Sequence, residues 1–169
     1  NDSLYEFNAD ASSYGASKIY NGSSIAILEV QGVDSDYNFD FNNVDGDIFK
    51  KVSSANKGDY GVYTTSYSSK GTILMIYNPS KNNKAFYVKF RIRNIAVKHN
   101  DVGELFYSIF NDSFRESIHH LKGKFYFKDN KNLRVWAHGP LNGEVKNENN
   151  EYLTFNLDNV PAYTKIDIR

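Results

Sequence analysis

Apolar residues recur along much of this chain at every second position. In "FYVKFRI", Phe86, Val88, Phe90 and Ile92 alternate with Tyr87, Lys89, Arg91 and the following Arg93. Successive side chains of a strand point to opposite faces, so these four apolar groups share one face, whereas a helix would scatter them around its circumference. "LRVWA" sets Leu133, Val135 and Ala137 against Arg134, Trp136 and His138, and "YLTFNL" sets Leu153, Phe155 and Leu157 against Tyr152, Thr154 and Asn156. Each segment predicts a half-buried strand. Further strands are expected at 25–30, 60–65, 73–77, 105–110, 124–127 and 164–168, divided by turn-forming clusters such as "NPSKNNK", "KDNKN" and "KNENNE".

Short strands at this spacing predict an all-β fold, an antiparallel β-sandwich of immunoglobulin-like general architecture with little helix. The 13 Tyr and 12 Phe support it, because aromatic and β-branched side chains pack well on a pleated surface. Helical spacing occurs only in "SFRESIHHLKG", where Phe114, Ile118 and Leu121 stand at i, i+4 and i+7, enough for one helical turn or a loop. Residues 1–24 are poor in large aliphatics and read as an irregular segment or an edge arm. No internal repeat, heptad or interdomain linker interrupts the chain, so 1–169 is read as a single domain.

Charge narrows the partners. Lys plus Arg and Asp plus Glu both total 20, leaving no net field to hold nucleic acid. Cysteine is absent, which removes disulfides, thiolate metal sites and cysteine nucleophiles together. The longest aliphatic-aromatic run, "ILMIY", is far short of the ~20 residues that span a bilayer as a helix. No cofactor is expected, since the chain has no P-loop, no G-x-G-x-x-G and no G-x-S-x-G elbow.

Four constellations could carry chemistry. "DSDYNFDFNNVD" places oxygen ligands at Asp34, Asp36, Asn38 and Asp40 as a calcium loop would, but Phe39 occupies the position that needs Gly and Asp45 the position of a bidentate Glu. An amphipathic strand with Tyr37, Phe39 and Phe41 inward explains the same residues. Asp101 and Glu104 supply the two carboxylates that glycoside hydrolysis needs, while a polar turn entering a strand accounts for them equally. His119 and His120 are adjacent, and His99 and His138 stand apart, so neither H-x-H nor H-x-x-x-H zinc spacing occurs. Lastly, Arg134, Trp136 and His138, with Asn142 in the turn beyond, form a candidate binding surface. The expectation for Trp136 itself is burial under a neighbouring loop, because large aromatics are usually well covered.

"RNIAVKHNDVGELFYSIF", "LRVWAHGPLNGEV" and "LTFNLDNVPAYTKIDIR" resemble the predicted membrane protein family defined by the DUF2207 domain. The matching positions are Asn94, Val97, Asp101, Glu104 and Leu105, then Arg134 to Gly143, then Val160, Pro161, Ala162 and Thr164. The resemblance covers 56–169 and is most specific around Trp136. Ile95 and Ala96 stand where the family has Ala then Val, Tyr107 replaces a Trp, and Tyr163 occupies a position where Gly is frequent. The resemblance implies an extracytoplasmic domain of a bacterial membrane protein, tethered through segments absent from this chain. The family's function is unknown, so it brings no catalytic residues with it. The expected role is a non-catalytic binding, sensing or assembly module of the cell envelope, with an envelope protein, peptide or glycan as partner. The alternative is an envelope glycan hydrolase using Asp101 and Glu104.

Overall fold

The alternating segments form strands. A computed structural model describes residues 2–9, 25–33, 42–68, 71–77, 85–92, 96–98, 100–110, 112, 114–127, 134–140, 142–149 and 151–169, and none of these is helical. The first seven strands are β1 (Asp2–Ala9), β2 (Ile25–Val33), β3 (Asp47–Ile48), β4 (Lys50–Lys51), β5 (Val62–Ser68), β6 (Gly71–Tyr77) and β7 (Ala85–Ile92). The remainder are β8 (Ala96–Lys98), β9 (Gly103–Leu105), β10 (Tyr107–Phe110), β11 (Ile118–Phe127), β12 (Ala137–His138), β13 (Glu144–Glu148), β14 (Tyr152–Val160) and β15 (Ile166–Ile168). They gather into two compact units, one of Ile19–Arg93 and one of Asn1–Lys18 with Asn94–Arg169.

In the unit of Ile19–Arg93, sheets β3-β2-β7 and β4-β5-β6 share a core of Val30, Phe49 and Tyr63, with Ile27, Leu74 and Ile76 packed against it. The segment 47–51 serves both sheets. β3 pairs with β2, β4 pairs with β5, and Phe49 between them is buried, its N–H donating to the Val30 carbonyl at 2.8 Å. A strand that changes sheets in this way places its middle side chain between the two layers. Along β7 the expected alternation holds from Val88 to Ile92, but at its start Tyr87 is buried and Phe86 exposed, the reverse of the expected face. In the partner strand Val30 to Val33 of β2 are all buried, so at this end burial does not follow period two.

The other unit holds sheets β1-β11-β14-β13 and β10-β15-β12, with the pair β8-β9. Leu153, Phe155 and Leu157 of β14 are buried as their alternation predicts, and Leu121 and Phe125 of β11 face them across the ladder opposite Leu157 and Leu153. Ile109, Ile166 and Ile168 complete that core from the second sheet.

Two expectations need correction here. The segment suspected of a helical turn instead enters the ten-residue strand β11. Ile118, paired with Val160, and Leu121, paired with Leu157, are buried in the same core although they stand three apart on the strand, and the facing strand departs from regular geometry between them, where Asn159 takes φ 54°. The strand expected at 133–137 is reduced to Ala137–His138. Within 1–24, residues 2–9 form an edge strand, β1, paired with β11, in keeping with the edge-arm alternative. The all-β class itself is observed. Two of its pairings, β1 with β11 and β4 with β5, are parallel, whereas an antiparallel sandwich was expected. Segments brought together by tertiary contact are free of the hairpin geometry that makes chain neighbours antiparallel.

Candidate functional site

The candidate surface is built on the sheet β10-β15-β12, whose register aligns Tyr107, Ile168 and Ala137 in one row. Ile168 is buried in the core, so its strand neighbour Arg169 turns to the opposite face. There the backbone of Trp136 closes a reciprocal pair with Arg169. The Trp136 N–H donates to the Arg169 carbonyl at 2.8 Å, and the Arg169 N–H donates to the Trp136 carbonyl at 2.9 Å. Carrying the β10–β15 register one residue further puts Phe106 on the other flank of Arg169.

The chain leading into β10 shows the same alternation. Leu105 and Tyr107 pack on the core, while Glu104 and Phe106 lie on the other side. Glu104 Oε1 meets Arg169 Nε at 3.0 Å, and the Arg169 guanidinium carbon sits 5.9 Å from the Trp136 ring centroid, within cation–π range. The Glu104–Arg169 ion pair thus lies beside Trp136, which is 52 % exposed.

Trp136 is therefore not buried under a loop, as expected, but half in water. The physical cause is the short β12: Trp136 falls on the face of the sheet away from Ile168, the core is filled by Ile166, Ile168 and Val135, and the indole finds Arg169 in place of a covering loop. Arg134 is exposed, and Glu104 pairs with Arg169. Asp101 is exposed just before β9. His138 is exposed opposite Asp167 in the register. Asn142 has a structural tie, its side-chain N–H donating to the Asp158 carbonyl at 2.7 Å and so holding the turn against β14.

A second row on the same face joins Ser108, Asp167 and His138. Asp167 is buried, with Oδ2 paired to Lys165 at 2.8 Å and Oδ1 without a hydrogen-bond partner. These are the residue types of a nucleophilic triad, but Asp167 lies between the other two, where proton relay from Ser would need the imidazole. Elsewhere His120 Nδ1 meets Asp158 Oδ1 at 2.8 Å on an exposed part of β11 and β14. Asp34, Asp36, Asn38, Asp40 and His99 lie outside the described residues, and among those described no three His, Asp or Glu gather as metal ligands.

Sequence reasoning missed Val102, Phe106 and Arg169. In "VGELFY" both alternating sets contain large apolar groups, so period two does not say which set is outside. Nothing in the sequence links Arg169 with Trp136.

The family model for the predicted membrane protein (DUF2207) N-terminal domain matches residues 5–169, extending the resemblance seen over 56–169 back into β1. No curated protein and no solved structure matches the chain.

Proposed function

This chain belongs to the DUF2207 family of predicted membrane proteins, and we propose that it forms a non-catalytic binding, sensing or assembly module held at the extracytoplasmic face of the cell membrane. The observation that carries this reading is the half-exposed Trp136, held against Arg169 while Glu104 neutralises that cation. An exposed indole beside a paired charge combines area to bury with polar groups already partnered, so a ligand covering it leaves no lone ion behind. The partner is an envelope component, and the zero net charge argues against nucleic acid. Glu104, the more enclosed member of the acid pair, is engaged by Arg169, which favours an interface over hydrolysis.

Two measurements on the whole membrane protein in its own cells test the reading. A Lys146→Cys variant adds a label site at an exposed position of β13, with the unsubstituted protein as background. A membrane-impermeant maleimide should label that site in intact cells, and labelling only after permeabilisation would refute the extracytoplasmic side. A photoreactive phenylalanine at position 136 should give a light-dependent adduct. Absence of any adduct, with the protein folded and inserted, would refute the binding role.

A further inference from the structure

We infer that the cluster of Trp136, Arg169 and Glu104 takes a sugar unit of an uncharged envelope glycan. This rests on the binding role proposed above and names the class of its ligand.

The three residues are tied to one another in the free protein. Trp136 and Arg169 exchange backbone hydrogen bonds in both directions, the guanidinium sits 5.9 Å from the indole centroid, and Glu104 Oε1 holds Arg169 Nε at 3.0 Å. A ligand therefore meets ring, donor and acceptor already placed, which lowers the ordering cost of binding. They are also reachable, since Trp136 is 52 % exposed and the Arg169 side chain 54 %. His138 is exposed and stands two residues beyond Trp136, on the same side of the strand and ~7 Å further along. A chain of sugars laid along β12 from Trp136 runs toward it.

The chemistry of the three groups selects the ligand. The flat indole offers rigid apolar area to the C–H face of a pyranose ring. Beside it a guanidinium only donates and a carboxylate only accepts, whereas a hydroxyl does both. Two neighbouring sugar hydroxyls can thus take a hydrogen bond from the Nη groups of Arg169 and give one to Glu104, whose carboxylate has more acceptor sites than the Arg169 contact uses. A proline-rich segment also suits an exposed Trp, but its prolines lack N–H and bring only carbonyl acceptors, which match Arg169 and offer nothing to Glu104. Charge decides the rest. The Arg169 cation is already closed by Glu104, so an acidic sugar would meet a carboxylate where it needs an unshared cation.

So small a contact binds weakly, with a dissociation constant on the order of 0.1–1 mM, and many copies on one surface make it visible. Beads carrying many copies of this chain are laid on an array of uncharged and acidic bacterial oligosaccharides and proline-rich peptides. They should bind uncharged oligosaccharides. The one bound most strongly, titrated into nitrogen-15-labelled protein, should shift the indole N–H signal, which belongs to Trp136 alone because the chain has a single Trp. Trp136→Ala should lower bead binding about tenfold or more, and so should Arg169→Lys, which keeps the charge and removes the fork. Trp136→Phe, which keeps an aromatic face, should retain more binding than Trp136→Ala. Circular dichroism checks that each variant keeps its fold. Binding to no glycan, to acidic glycans alone or to the peptides alone would overturn the proposal. Glycan binding that leaves the indole signal unmoved, or that the folded Trp136→Ala and Arg169→Lys variants retain in full, would overturn it too. A protein adduct from position 136 in cells, with no glycan bound on the array, would leave the binding role standing and remove a sugar as its ligand.

Discussion

Truncating two large apolar side chains in the same unit, Leu121→Ala and Trp136→Ala, should produce opposite ranks from those their sizes suggest. Leu121 is completely buried in β11, opposite Leu157, in the centre of a core that also includes Phe125 and Phe155. Its loss combines the transfer term with a cavity that the surrounding strands cannot close, about 3–5 kcal/mol. Trp136 is larger but 52 % exposed. If about half of an indole's ~250 Å² is covered, ~120 Å² at ~25 cal/mol per Å² sets an upper bound of ~3 kcal/mol, which a compact unfolded chain and the retained Cβ reduce further. The contact with Arg169 adds about 0.5–1 kcal/mol, and no sealed cavity forms because water enters the space. A net loss of about 1–2 kcal/mol follows. The reciprocal hydrogen bonds to Arg169 are backbone bonds and survive the change. Urea unfolding followed by far-ultraviolet circular dichroism measures both, since one variant lacks the only Trp. With a slope of ~1–3 kcal/mol per molar urea, Leu121→Ala should lower the midpoint at least about one and a half times as far as Trp136→Ala. Equal shifts would show that Trp136 is covered and would refute the exposed-patch reasoning.

Two backbone predictions follow from local geometry. A Cβ at Gly46 would lie 2.5 Å from the Gly32 carbonyl oxygen and 2.7 Å from Val33 Cγ1, so Gly46→Ala should force backbone movement and cost about 1–3 kcal/mol. An unchanged melting temperature would contradict that packing. Tyr163 adopts φ 60° while its N–H donates to the Phe114 carbonyl at 2.7 Å, which gives a physical reason for Gly at this position in the DUF2207-type ending. Tyr163→Gly should relieve about 1–2 kcal/mol of left-handed strain against about 0.5–1 kcal/mol of extra chain entropy, leaving stability unchanged or up to ~1 kcal/mol higher. A clear drop in the denaturation midpoint would show that the exposed ring of Tyr163 contributes more than its conformation costs.

Period-two alternation was sufficient for the all-β class and for the inward face of β14, because a strand covered on one face imposes that rhythm locally, whatever its partners are. Leu153, Phe155 and Leu157 could be read as core from their own neighbours alone. The same test failed at Phe86 and Tyr87, which face a run of β2 buried at successive positions, and at Ile118 and Leu121, which share one core although they stand three apart on their strand. Family membership was also legible, since the motifs around Trp136 are contiguous in the chain. Pairing was not: β1 meets β11, and β15 lies between β10 and β12, through contacts between segments far apart in sequence. The exposure of Trp136 belongs to that second class. Its own segment shows only that Trp136 alternates with Val135 and Ala137. Which face of β12 meets the core, and that Arg169 and Glu104 arrive beside the indole, depends on the register of β15 against two strands, a property of the folded sheet and of no single stretch of the chain.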